Sequence, residues 1–299
     1  MGTAIQGTYA AVLTPRKATG EIDETAFRRL LQFLLGKGIA GFAINGATGE
    51  FCLTSEAELE RLLIVAAEVI QGRARFLAGI GSSSANISIR LGKVAAKAGA
   101  AGLLLPMPYF FPYSQADLRV FSRTVAAHLD VPILLYNLPQ FTSGLEPQTS
   151  LDLIRECDSI VGIKDSSGSL DTLRLLTETG TPAQRIIGND DVLAPALEQE
   201  LLDGVVSGVA CVLPELIGRL YEAGSTNPGS PEFSDLSASL ASFIQQIQPF
   251  PTPWGLKIVA EARGLLQATY PFPLSQERQQ EKATLLHWFQ ENRSRMLAQ

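Results

Sequence analysis

Apolar residues cluster in short runs over positions 1–225, and between the runs they recur three and four apart. The first spacing is that of strands buried on both faces, the second that of amphipathic helices. The runs predict strands at 9–13, 41–45, 75–80, 102–105, 133–136, 160–164, 185–187 and 204–207. Helical patterns fall between them, among others at 55–70, 85–98, 115–128, 151–156, 169–178 and 191–201. Thr54-Ser55-Glu56 precedes one helix, and Ser114 to Asp117 has the form of a capping box before another. Strict alternation of strand and helix implies a parallel sheet. Eight such units fit a closed (β/α)8 TIM barrel, with an open doubly wound sheet as the competing topology. After the loop 224–231, rich in Gly, Ser, Asn and Pro, no strand pattern returns. Helical patterns at 233–248, 254–267 and 276–298 predict a C-terminal extension of three helices, 226–299, belonging to the same domain as the barrel.

Composition narrows the class. A hydrophobic fraction of 46% and a charged fraction of 18% suit a globular chain with a large core. The net charge of −6 lacks the basic face that nucleic acid requires. No apolar stretch reaches the ~18 residues of a membrane span. The N-terminus has no charged segment leading into an apolar core, so a cytoplasmic location is expected. Cys52, Cys157 and Cys211 are odd in number and form no CxxC pair, which fits a reducing compartment. His128 and His287 both lie in helical patterns, so no metal site is expected.

Lys164 stands out against this background. It closes the apolar run of strand six and is followed at once by Asp165-Ser166-Ser167-Gly168. The other six of the seven lysines lie in loops or helical stretches. A lysine at the tip of a buried strand is held rigidly and partly desolvated, which favours the neutral amine that Schiff-base chemistry needs. An ion pair with Asp165 is the plainer alternative. Lys257, in the second helix of the extension, has no apolar strand behind it and reads as structural.

In a barrel, active-site residues come from the C-terminal ends of the strands. Strand two ends in Asn45-Gly46-Ala47-Thr48-Gly49-Glu50, whose glycines permit a tight loop with backbone N–H groups turned towards an anion. Thr48 adds a hydroxyl. Strand five ends in Tyr136-Asn137-Leu138-Pro139, putting a phenol at the mouth into which strand six delivers Lys164. A phenol beside an ammonium can shuttle protons. A core tyrosine with a satisfied hydroxyl is the alternative.

These three elements, in this order on successive strands, resemble the dihydrodipicolinate synthase / N-acetylneuraminate lyase family. The resemblance runs from Gly7 into the helical tail and takes in Pro108-Tyr109-Phe110 and Gly204-Val205-Val206-Ser207-Gly208. It implies a (β/α)8 barrel with three extra helices, usually tetrameric, and pyruvate-type class I lyase or aldolase activity without a cofactor. It implies further that Lys164 forms an imine with a 2-oxo acid and that Tyr136 is the acid/base. Thr48, with the backbone of Ala47 and Gly49, would bind the substrate carboxylate, and Val206 would line the pocket.

The departures from the family pattern concern the same site. Ala47 stands where a second hydroxyl residue is usual, and Phe110 where a second tyrosine completes a proton relay from a neighbouring subunit. Phe141 stands where true dihydrodipicolinate synthases carry an arginine. The imine chemistry is expected to survive, as retro-aldol cleavage or dehydration of a 2-keto-3-deoxy sugar acid or a related hydroxy 2-oxo acid. Dihydrodipicolinate synthase is the alternative, followed by a 2-oxo-acid-binding barrel with little catalysis. A phosphate-binding barrel is a further fold-level alternative, for which the Val209-Ala210-Cys211 stretch offers no glycine-rich loop. Asp165, Ser166 and Asp190 are expected as contacts to substrate hydroxyls, although Asp190-Asp191 also reads as a helix cap, and Phe110 and Phe141 are expected as further substrate contacts.

Overall fold

The computed structural model describes residues 5–297. Eight parallel strands close into a barrel in sequence order: β1 (Gly7–Ala11), β2 (Gly41–Ile44), β3 (Arg75–Gly79), β4 (Gly102–Pro106), β5 (Ile133–Asn137), β6 (Ile160–Asp165), β7 (Gln184–Ile187) and β8 (Gly204–Ser207). Strand β8 pairs back onto β1, so the sheet has no free edge. The open-sheet alternative is thereby excluded.

Alternate residues of each strand point to opposite faces. Tyr9, Ala11, Ala43, Leu77, Leu104, Leu134, Tyr136, Ile186 and Val206 face inward and fill the barrel as one apolar cluster. Their neighbours Ile133, Leu135, Ile163, Ile187 and Val205 face outward and pack under the helices. Those helices are α1 (Glu24–Leu35), α2 (Glu56–Ile70), α3 (Ala85–Lys97), α4 (Gln115–Ala126), α5 (Pro147–Glu156), α6 (Asp171–Glu178), α7 (Leu193–Glu198) and α8 (Pro214–Thr226). Capping boxes open α2 at Ser55 with Glu58 and α4 at Ser114 with Asp117.

Strand β1 begins and ends two residues before the expected run, with the Val12 N–H still donating to the Ala43 carbonyl of β2 at 2.9 Å beyond its end. The helix expected at 191–201 is shorter. A 3-10 turn, Asp190–Val192, precedes α7, and Glu200 takes a left-handed φ of 53° that ends it. Helix α8 runs through Gly224 to Thr226, where a loop was expected. A side chain at Gly224 would meet Phe233 and Leu197 within 2.8 Å, so close helix packing selects that glycine.

Three helices follow: α9 (Pro231–Ile247), α10 (Trp254–Ala262) and α11 (Gln276–Leu297). Ala298, the last residue of the expected final helix, lies outside the described residues. Helix α10 stops short of 267 because Gly264, at φ 71°, turns the chain. Helix α9 packs on α8 and on the turn after β7, which places the α9–α10 connection over the mouth of the barrel. Among the described residues no helix is long and apolar enough to cross a membrane.

Candidate active site

Register brings the chemistry together. Tyr136 on β5 pairs directly with Lys164 on β6, and Lys164 with Ile186 on β7. Both Tyr136 and Lys164 point into the barrel mouth, and each is 2% exposed. The Lys164 Nζ lies over the face of Tyr136, 3.9 Å from the ring centroid. Among the described residues no carboxylate lies within salt-bridge distance of Lys164.

Asp165 is not that partner. Strand alternation turns it away from the barrel interior, where its carboxylate accepts the Ser167 N–H at 2.8 Å and the Asn137 amide at 3.3 Å. Asn137 in turn accepts the Leu145 N–H at 3.0 Å. Asp165 therefore fixes the turn after Lys164 and does not line the cavity, contrary to the expectation of a substrate contact.

A cavity of about 400 Å³ opens above Lys164. Tyr136, Lys164, Ala47, Thr48, Ser166, Asp190, Val206 and Phe141 line it, so most of the expected site residues meet at one place. The loop beneath Thr48 is built differently from the expectation. Its left-handed residues are Asn45 (φ 60°) and Glu50 (φ 57°), not the glycines. Asn45 donates its amide to the Gly79 carbonyl at 2.9 Å, and Thr14 holds the Gly49 carbonyl at 2.8 Å. Gly49 does not itself line the cavity. It is needed because a side chain there would press on the Asn45 backbone at 3.0 Å. Among the described residues no protein acceptor takes the N–H of Ala47, Thr48 or Gly49. Free amides beside a buried hydroxyl form an anion-binding concavity.

Two buried polar atoms of the cavity wall have no protein partner, the Ser166 hydroxyl and Asp190 Oδ1. The other oxygen of Asp190 accepts the Val209 N–H at 3.2 Å. Burial of this carboxylate pushes its pKa up to about 6, against the opposing pull of the Ser207 hydroxyl, the Val209 N–H and the Lys164 charge. Asn189, not Asp190, caps the following turn by accepting the Asp191 N–H at 3.0 Å.

Phe110 stays outside this cavity, contrary to the expectation of a substrate contact. It is 88% exposed, holds a left-handed φ of 79°, and lines a separate surface groove with Phe111, Tyr113 and the far side of Phe141. Sequence reasoning missed Gly188. A Cβ there would lie 2.2 Å from the Ser166 hydroxyl and 2.4 Å from Lys164 Cε, so the missing side chain makes room for the lysine. Its position at the tip of β7 was the available signal. Ile244, Ile247, Phe250 and Leu256 were also missed as cavity residues, since nothing in their helical pattern says which way the extension docks.

The Dihydrodipicolinate synthetase family profile matches residues 4–290. The chain belongs to that family. The family's enzymes are lyases that hold pyruvate as a covalent Schiff base on a lysine and need no metal or other cofactor. Among the described residues no group of three or more His, Cys, Asp or Glu side chains is placed to hold a metal ion. The 4-hydroxy-tetrahydrodipicolinate synthase of Pelobacter propionicus is 33% identical over 285 residues, covering 94% of this chain and 96% of that one. The structure of the same-named enzyme from Methylacidiphilum fumariolicum SolV superposes with a TM-score of 0.89 at 30% identity, covering 98% of each chain. A prophage protein of the dihydrodipicolinic acid synthase family from E. coli K12, solved in complex with pyruvate, gives a TM-score of 0.89 at 25% identity, over 97% of this chain and 99% of that one.

Proposed function

We propose that Lys164 is the imine-forming lysine of this family member and that it acts on a 4-hydroxy-2-oxo acid whose tail carries no second negative charge. The observation that carries the reading is a buried lysine with no salt-bridge partner among the described residues, stacked on Tyr136 at the floor of a cavity. Register and packing hold the Lys164 amine rigidly at the cavity floor, where a 2-oxo acid carbonyl can reach it, and a lysine amine is the nucleophile of Schiff-base chemistry.

In this mechanism the amine adds to C2 of the 2-oxo acid and water leaves, giving a protonated imine. The substrate carboxylate sits on the amides of the Ala47-Thr48-Gly49 loop and the Thr48 hydroxyl. Tyr136 removes the proton of the C4 hydroxyl, the C3–C4 bond breaks, and its electron pair moves into the imine to leave an enamine and an aldehyde. Protonation at C3 and hydrolysis release pyruvate and the free lysine. Loss of a C3 proton ahead of the C4 hydroxyl gives dehydration from the same imine. Ser166 and Asp190 line the cavity, each with a polar atom that lacks a protein partner, which supports a role for them at the C4 region. The helices after residue 226 belong functionally to the barrel, because their side chains complete the cavity. A homotetramer in the cytoplasm completes this reading.

The names of the relatives favour the second reading, 4-hydroxy-tetrahydrodipicolinate synthase, which condenses pyruvate with a carboxylate-bearing aldehyde. Against it stands the charge of the cavity wall. Among the described residues that line it, the only cation is Lys164, and the two acids Asp190 and Asp191 would oppose a second carboxylate. Phe141 supplies no guanidinium.

The test is borohydride reduction in the presence of pyruvate, with the adduct mapped by mass spectrometry, alongside turnover of aspartate semialdehyde and of uncharged 4-hydroxy-2-oxo acids. The expected result is an adduct on Lys164, none in Lys164→Ala, and cleavage or dehydration of the uncharged acids. An adduct on Lys257, or none, overturns the mechanism. Efficient condensation with aspartate semialdehyde overturns the substrate assignment in favour of the second reading.

A further inference from the structure

The cavity has two kinds of wall. The floor is built from strand tips and the turns after them and carries groups that can form covalent or hydrogen bonds: Lys164, Tyr136, Thr48, Ser166, and the run Asn189-Asp190-Asp191. The outer wall comes from the extension, beyond the ends of the strands, and it is apolar. Ile244 and Ile247 project from α9, Phe250 from the connection and Leu256 from α10, with Phe141 on the loop after β5. The polar side chains of that segment on the cavity, Gln248 and Thr252, are exposed at its rim.

This apolar wall is held in place before any substrate arrives. Phe250 is 8% exposed, and the Arg278 guanidinium lies 5.2 Å from its ring centroid. Arg278 also donates to the Pro249 carbonyl at 2.6 Å, fixing the connection on both sides of the ring. Ile247 packs on Gly255, where a Cβ would approach it to 2.7 Å. Leu256 is 6% exposed and lies near both Thr48 and Gly208. A polyhydroxylated tail lying on Ile244, Ile247 and Phe250 would lose its hydration and meet polar side chains only at the exposed rim, at Gln140, Gln248 and Thr252, whereas an apolar tail gains by burial.

From this division we infer that the aldehyde half of the substrate ends in an apolar alkyl or aryl group, lodged against Ile244, Ile247 and Phe250. The C4 hydroxyl stays with the polar floor. The inference rests on the imine reading of Lys164 and narrows it, replacing a sugar-like tail by an apolar one.

The aldol direction reads the tail directly. The pyruvate enamine adds through C3 to the aldehyde carbon, and the aldehyde oxygen takes up a proton to become the C4 hydroxyl. The measurement compares kcat/KM for benzaldehyde and hexanal with that for glyceraldehyde and erythrose, next to borohydride trapping of pyruvate on the same enzyme. The expected result is trapping at Lys164 together with a preference of about tenfold or more for the apolar aldehydes. Ile247→Asn and, separately, Ile244→Asn are expected to shrink that ratio, chiefly through KM. Trapping at Lys164 with a preference for the hydroxylated aldehydes, or a ratio that neither variant moves, overturns this inference and leaves the imine reading standing. Loss of trapping overturns the imine reading, and this inference with it.

Discussion

Lys164 and Tyr136 meet ring face to side-chain nitrogen, not hydroxyl to nitrogen: the Nζ stands 3.9 Å from the ring centroid. The ring thus contributes to placing the lysine, while the phenol hydroxyl remains available to a substrate. Tyr136→Phe separates the two, because it keeps the face and the packed volume. The variant is expected to form the borohydride adduct with pyruvate as the wild type does and to turn over ~10²–10⁴ more slowly. Steady-state rates with quantified trapping check this. Normal turnover would make the phenol a structural group.

Glu50 and Lys257 form a second relationship of this kind. Lys257 Nζ lies 2.6 Å from Glu50 Oε2 and 3.0 Å from the Thr269 carbonyl, with the two side chains 7% and 4% exposed for Glu50 and Lys257. The pair ties α10 to the loop that ends in Thr48-Gly49. Removing one partner leaves the other charge buried, at a cost of about 3–5 kcal/mol. Lys257→Met is therefore expected to lower the urea midpoint strongly, and Glu50→Gln combined with Lys257→Met to recover most of the loss. Equal midpoints for wild type and Lys257→Met would mean the pair carries no net stability.

Asp190 gives a pH dependence. Its pKa in the folded protein is raised to about 6 from an ordinary 3.8, so between those values the native state holds more protons than the unfolded chain. Its contribution to stability is complete below pH 3.8 and is lost as pH rises towards 6. Asp190→Asn is expected to gain on the wild type across that window and to keep the gain at pH 7.5. Urea melts at pH 4.5 and 7.5 measure it, and parallel curves for the two proteins would show an unshifted carboxylate.

The aromatic loop after β4 bears on assembly. Phe110, Phe111 and Phe141 are 88%, 61% and 54% exposed around one groove of about 460 Å³. Contiguous apolar surface of this kind marks an interaction site. A left-handed φ at a phenylalanine persists where its surroundings hold it. Light scattering at micromolar concentration is expected to give a homotetramer, and Phe111→Asp a smaller species. A wild-type monomer would refute the assembly.

The barrel and the pairing of Tyr136 with Lys164 were legible in the sequence because both depend on strand order and on a charge placed in an apolar run. Thr48 was legible from the glycines around it, although left-handed Asn45 and Glu50 shape the loop. Asp165 misled because residues adjacent on a strand share a neighbourhood in sequence but not a face. The period of two in β6 held the answer: Ile163 and Asp165 turn outward and Lys164 inward. Gly188 escaped notice because its contribution is an absent side chain. Ile244, Ile247 and Phe250 escaped because helical periodicity gives a buried stripe but not the neighbour it docks on.

The outer wall of the cavity has a consequence for how this protein can change. Residues 244–256 hang over the mouth without taking part in the strand ladder that holds Lys164 and Tyr136. A substitution in this canopy alters what the mouth admits and leaves the register of the barrel untouched. On the proposed function, selectivity and reactivity sit on separately mutable stretches of one chain. New tails can be tried by substitution in the canopy while Lys164 and Tyr136 beneath it keep their register.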